Sequence, residues 1–181
     1  LPPQTSIQVA AGVSYNYDQS IGFSMEAFYK KLDNLIEYTN GSVFFNAYDN
    51  WEDMVETGTG KSYGLEWMAQ KKKGELTGLV SYTLSRSTRK FPNINDGKEF
   101  PFRYDRRHEI KMAAVWRPSS RFEMAANWFL SSGMAISLPN TWYYDPYTRR
   151  YIDIYENRNQ YRMPAYHRMD LSFGFIKQKK K

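Results

Sequence analysis

Stretches of about eleven residues alternate apolar and polar side chains, and very short and very long connections join them in turn. No other feature of the chain restricts its fold as much. The stretches are Thr5–Asn16, Ile21–Lys31, Lys61–Gln70, Glu75–Ser85, Arg107–Trp116, Phe122–Leu130 and Ala165–Ile176. Tyr17–Ser20, Lys71–Gly74 and Arg117–Arg121 are the short connections; Leu32–Gly60, Arg86–Arg106 and Ser131–Pro164 are the long ones. A period of two belongs to strands, not helices. Tight turns at one end and long loops at the other are the pattern of a membrane β-barrel.

The two faces differ in chemistry. In the first stretch Ile7, Val9, Ala11, Val13 and Tyr15 share one face, against Ser6, Gln8, Ala10, Gly12, Ser14 and Asn16. In the second, Ile21, Phe23, Met25, Ala27 and Tyr29 oppose Gly22, Ser24, Glu26, Phe28 and Lys30. The later stretches repeat this. About ten residues at roughly 3.4 Å each, tilted near 45°, cross a hydrocarbon layer of about 25 Å. Soluble sandwiches use shorter strands and short loops at both ends. Tyr15, Tyr17, Tyr29, Tyr82, Trp116, Trp128 and Phe175 lie near stretch ends, where amphipathic rings form girdles at a membrane–water interface. Trp142–Tyr147 and Tyr151–Tyr155, inside the last long loop, read either as local strands or as an extension of the barrel above the membrane.

Composition narrows the function classes. The chain has 181 residues, 15 of them tyrosine, and no cysteine, which excludes disulfides, thiolate metal sites and cysteine nucleophiles. The net charge of +6 comes largely from the lysine runs Lys71–Lys73 and Lys177–Lys181, both expected in turns. No basic helical face or nucleic-acid motif accompanies it, so no nucleic-acid partner is expected. No apolar run is long enough for a spanning helix. The sequence starts at Leu1 in what reads as the end of a loop, without a signal peptide, so an internal fragment is expected. Seven strands would leave two open edges, which a bilayer does not tolerate. The barrel therefore needs further strands of the same protein or of other chains.

Few residues suggest chemistry. His108 and His167 are the only histidines, and two alone do not make a metal site. Asp105 with Arg106 and Arg107, and Arg168 with Asp170, are expected to form charge-assisted pairs at the barrel rim. Asp105, His108 and Ser81 or Ser85 could be arranged as a hydrolytic trio, but no nucleophile elbow is present. Gly58–Ser62 lacks the spacing of a phosphate loop. No catalytic residue, metal or cofactor is expected, and the protein is not read as an enzyme. Glu66, Glu75 and Glu123 fall on the polar face and would face the lumen. Tyr143, Tyr144, Tyr147, Arg149, Arg150, Tyr151, Tyr155 and Arg158 form the candidate ligand-binding set, because rings and guanidinium groups suit sugars, peptides or anionic chelates.

Several motifs follow one another in a specific order. Gly60-Lys-Ser-Tyr-Gly-Leu-Glu66 opens a strand; a Lys-x-Gly turn and Leu79-Val-Ser-Tyr-Thr-Leu-Ser85 follow. Then come Ile94-Asn-Asp-Gly97, Phe100-Pro-Phe-Arg-Tyr-Asp-Arg-Arg-His108 and Arg162-Met-Pro-Ala-Tyr-His-Arg-Met-Asp170. Across the whole chain this series resembles the C-terminal part of the β-barrel of TonB-dependent outer-membrane receptors, most like those of Bacteroidetes. The resemblance implies an all-β fold, a transmembrane antiparallel β-barrel segment of about seven strands from a twenty-two-stranded barrel. The seven would correspond to strands fourteen to twenty. Residues 1–181 would form one partial barrel domain, with the plug domain and final strands absent.

The same resemblance implies the cell outer membrane as location and import of a nutrient ligand (chelate, glycan or peptide) as function. The partners implied are the rest of the barrel and its plug, TonB through the missing N-terminal region, outer-membrane lipid and a surface lipoprotein. Loops would capture the ligand, and TonB would remodel the plug to open a path. The alternatives are a plug-less porin or structural barrel, and a soluble all-β binding module. The soluble module is argued against by the apolar band of Ile7, Val9, Val13, Ile21, Phe23 and Met25, which water would meet.

Overall fold

The computed structural model describes residues 1–39 and 51–177. Its strands are β1 (Thr5–Tyr17), β2 (Ile21–Tyr38), β3 (Val55–Lys71), β4 (Leu76–Lys90), β5 (Phe100–Pro101), β6 (His108–Ser119), β7 (Phe122–Ser131), β8 (Ala135–Ile136), β9 (Thr141–Asp145), β10 (Arg150–Ile154), β11 (Tyr161–Arg162) and β12 (Tyr166–Phe175). The seven long ones make an antiparallel sheet in the order β1-β2-β3-β4-β6-β7-β12. Each follows its chain neighbour without a crossover, and short β5 lies beside the far end of β4. All seven expected stretches are strands of this sheet.

Local chemistry explains the tight turns. Asp18 and Gln19 both take positive φ (46° and 48°), the handedness that suits a two-residue hairpin turn. Gly74, at φ 99°, closes the β3–β4 turn without the penalty a Cβ would bring. The expected turn at Lys177–Lys181 lies almost wholly outside the described residues.

The strands are longer than the sequence pattern suggests. β2 continues to Tyr38, β3 begins at Val55 and β4 reaches Lys90, so much of the expected loops Leu32–Gly60 and Arg86–Arg106 is strand. A register shift hides the extension of β2. Leu32 pairs with Gly60 but Leu35 with Gly58, and Asn34 between them takes φ 58°. Extra residues on one strand break the period of two that marks a strand in sequence. Arg117–Ser119, expected in a turn, complete β6 past a second shift after Trp116.

Pairing register fixes the faces. Glu26 lies opposite Glu66, Glu66 opposite Thr83 and Thr83 opposite Glu109, so these share a polar face. Met25, Trp67, Tyr82 and Ile110 succeed one another likewise on the apolar face. That face is bare: Ile7, Val13 and Phe173 are each more than 60% exposed.

Among the described residues, the buried apolar side chains are Leu35, Phe91, Ile94, Phe100 and Ala135. The first four form one cluster at the long-loop end, where the β4–β6 connection folds back on β2 and β3. Gly58 makes this possible. A Cβ there would come within 2.4 Å of both the Phe91 ring and the Lys90 carbonyl. Gly58→Ala is expected to loosen the cluster by about 1–3 kcal/mol, the usual cost of overpacking. Faster proteolysis of the 91–107 connection in the intact protein would show it; unchanged cleavage would mean the cluster tolerates the methyl group.

The last long connection is ordered by two small ladders. β9 pairs with β10, where local strands were expected, and β8 pairs with β11, which the sequence pattern had not marked. A Cβ at Gly133 would lie 1.6 Å from the Met163 carbonyl, so only glycine lets the two arms of the connection meet there.

Candidate functional site: the polar trough and its rim

The polar face carries a trough of about 760 Å3. Small side chains from adjacent strands (Gly12, Ser14, Ser24, Ser81, Thr83) leave the space, and charged ones line it. Lys111 holds Glu109 at 2.6 Å, and Arg106 reaches the same carboxylate at 3.9 Å. Glu26 and Glu66 stand directly across from one another, and among the described residues no cation pairs with either. Like charges facing across a ladder repel, so this pair is a standing electrostatic cost unless a cation meets it.

The three glutamates singled out from sequence are not brought together. Glu66 lines the trough. Glu123 forms an ion pair with the Arg117 side chain near the short-turn end. Glu75 precedes β4, and its carbonyl accepts the Arg117 backbone N–H at 2.7 Å. Glu26, Glu109 and Lys111 share the polar parity with Glu66, and that parity was the signal that could have found them.

A denser set of polar contacts forms the rim. Asp105 is almost fully buried. Its carboxylate accepts the Ser87 N–H at 2.6 Å and forms an ion pair with Arg162, which also donates to the Asp105 carbonyl at 2.8 Å. The expected pairing with Arg106 is not what the structure shows, whereas the expected pairing with Arg107 forms, at 3.8 Å. The turn before β6 sends Asp105 under the loop and Arg106 into the trough. Arg168 does pair with Asp170, at 3.0 Å. Glu37 takes Arg89 at 3.4 Å and Arg158 at 3.3 Å. Asn95 and Asn159 add further links: the Arg158 N–H donates to Asn95 Oδ1 at 2.7 Å, and Asn159 Nδ2 to the Pro101 carbonyl at 3.0 Å.

The candidate ligand-binding residues divide. Arg158 is tied to the rim through Glu37 and Asn95. Tyr143, Tyr144, Tyr147, Arg149, Arg150 and Tyr151 belong to the β9–β10 hairpin, with Tyr155 just beyond it. Trp142 meets Tyr151 edge-on at 4.8 Å, and Tyr144 lies 5.3 Å from the same ring. Tyr143 opposes Ile152 on the other side, and Tyr147 projects into solvent at the tip.

Asp145 holds the hairpin turn. It accepts the Tyr147 N–H at 3.0 Å and the Thr148 hydroxyl at 2.6 Å. The Thr148 hydroxyl first, and the Tyr147 N–H second, keep its carboxyl below the ordinary carboxylate range. A depressed carboxylate favours the folded turn above its unfolded pKa and loses that support as pH falls through its folded one. The turn is thus expected to be ordered at neutral pH and to loosen below about pH 4. Asp145→Ala should loosen it at neutral pH, visible as faster amide exchange at Tyr147 and Thr148. Equal exchange in the two proteins would remove this role.

Among the described residues, the serine, histidine and carboxylate candidates do not come together as a hydrolytic trio. Ser81 and Ser85 lie on the polar face, and the Ser85 hydroxyl donates to the Arg106 carbonyl. His108 lies beyond Leu84 on the apolar face, its Nδ1 2.8 Å from the Tyr82 hydroxyl. Gly58–Ser62 is part of β3, not a phosphate loop. Among the described residues no three histidine or carboxylate side chains converge as metal ligands.

A long-stranded sheet with a bare apolar face, a charged trough and knitted loops at one end narrows the comparison. The family described as TonB dependent receptor-like, beta-barrel, matches residues 1–179. The chain belongs to this family. TonB-dependent receptors are transporters rather than catalysts, in accord with the non-enzymatic reading of the sequence. Comparison with curated proteins returned no match.

Proposed function

We propose that this segment is part of a TonB-dependent importer of the cell outer membrane. Its bare apolar face would meet lipid, its trough would face a plug domain, and its long loops would meet the ligand outside the cell. The supporting observation is the pairing of opposite chemistries on one sheet: an exposed apolar face behind a charged trough, in a chain that matches the receptor family over nearly its whole length.

Glu26 and Glu66 are the residues through which the trough would grip the plug. A basic plug side chain between them would remove the repulsion across the β2–β3 ladder and form charge-assisted hydrogen bonds with both. Glu75 and Glu123 would lie on the same interior face nearer the periplasm. The β9–β10 hairpin would be a capture surface, because Trp142, Tyr144 and Tyr151 present rings in one cluster. Residues 1–181 would be one part of a single barrel domain of twenty-two strands. Its partners would be the remaining strands, the plug, TonB and a surface lipoprotein.

The test uses the native protein. Outer-membrane extract is separated with and without boiling and probed with antibody against Ser131–Pro164. A band several times heavier than this chain, with mobility that changes on boiling, supports the importer. A soluble species of this chain's own length would overturn it.

A further inference from the structure

The apolar face ends in charge. At the long-loop end, Lys31 of β2 pairs in register with Lys61 of β3, and Lys61 with Thr88 of β4. Arg86 and Lys90 stand on the same face of β4, both exposed. Four cations thus face outward around a cavity of about 270 Å3, lined by Tyr29 and three of them. Two carboxylates offset them in part: Asp33 lies 3.1 Å from Lys31 and Glu99 2.6 Å from Lys61. Glu99 is held below the ordinary carboxylate range, first by the hydrogen bond from Lys61 and more weakly by the charge of Arg86. One carboxylate therefore serves two cations, and Lys90 has no carboxylate partner among the described residues. The local excess is positive, and directly opposed lysines repel.

What lies beneath the cations is not water-like. Tyr29 and Tyr63 stack at 6.5 Å below Lys31, Lys61 and Lys90 and level with Arg86, and Trp67, Tyr82 and His108 form a stacked row beyond. Below the rings an apolar groove of about 350 Å3 opens on the same face between Val13, Phe23, Trp67 and Val80. Lys31 and Met25 are separated by about 20 Å of strand at roughly 3.4 Å per residue. Cations, then stacked rings, then an apolar groove is the order in which a lipid presents phosphate, interface and acyl chain.

We propose that the Lys31–Lys61–Arg86–Lys90 cluster binds the phosphate of a membrane lipid whose acyl chain lies in the groove below. The site rests on the importer reading above, which places this face in the bilayer. Ammonium groups act on phosphate as point charges, and the half-buried Lys61 exchanges Glu99 for the incoming anion. No covalent step is involved.

Native mass spectrometry of the detergent-solubilised full-length receptor tests the site, with phosphatidic acid, phosphatidylcholine or inorganic phosphate added in turn. The wild type is expected to retain phosphatidic acid over phosphatidylcholine. The variant combining Lys31→Gln, Lys61→Gln and Lys90→Gln should lose that preference by about tenfold, since each basic residue near a lipid surface adds an appreciable attraction. A variant with arginine at the three positions should keep it. The change of mobility on boiling verifies that each variant is a folded barrel. Equal lipid retention in wild type and glutamine variant overturns the site. Saturation by inorganic phosphate alone, with no preference between the lipids, overturns the lipid as its source. Loss of the mobility change in the wild type would instead count against the importer reading, and the site would fall with it.

Discussion

Arginine in place of Val80 should destabilise the intact receptor by about 2–4 kcal/mol, the range for a cation on the lipid face near the bilayer midplane. Val80 is 42% exposed, in the short-turn half of β4, opposite Ala69 and Met112 on the apolar face. Met68 is equally exposed but faces the trough, opposite Ser24 and Ser81 and two residues from Glu66. Met68→Arg removes just as much apolar surface, yet the new cation meets water and carboxylates, so less than about 1 kcal/mol is expected. Denaturant unfolding of both variants in lipid vesicles compares them directly. Equal costs would mean that the two faces do not separate lipid from water, and the membrane reading would fail with that result.

The second large effect lies in the rim. Asp105→Ala takes from Arg162 its ionic partner and leaves the Ser87 N–H without its acceptor. Removing one member of a buried pair costs about 3–5 kcal/mol, and the low end applies because Arg162 is a third exposed and water can reach it. The carbonyls of Asp105 and Gly133 still accept from Arg162, so the loop should loosen rather than fold differently. Loss of amide-exchange protection at β8 and β11 measures this. Adding Arg162→Met to Asp105→Ala should recover part of the loss, since the stranded guanidinium is then gone. If protection is unchanged by Asp105→Ala alone, the pair does not fasten the loop.

The sheet was readable from the sequence because its physics is local. Alternation such as Ile7 to Tyr15 against Ser6 to Asn16 records which side of a strand each residue occupies, and no distant residue alters it. The local strands at Trp142–Asp145 and Tyr151–Ile154 were readable for the same reason. The rim was not. Asp105 finds Arg162, and Asn95 finds Arg158, across separations that no periodicity encodes. The upper part of β2 was hidden because Asp33 and Asn34 interrupt its alternation at the bulge. The cationic cluster needed the register itself, since Lys31, Lys61 and Lys90 come from three strands and look in sequence like ordinary loop-edge charges.

The strand order, in which each long strand pairs with its neighbour in the chain, bears on how the segment is assembled. No strand must wait for a distant partner, so each hairpin can be added to the last as a unit, and the entropy of closing each loop is met one step at a time. The costliest closure is the one from Ser131 to Tyr166, which spans the longest connection. The β8–β11 and β9–β10 ladders lie inside that span and bring its two ends closer than the contour length alone would. Closing β12 onto β7 therefore costs less entropy with those ladders formed than with the connection unstructured.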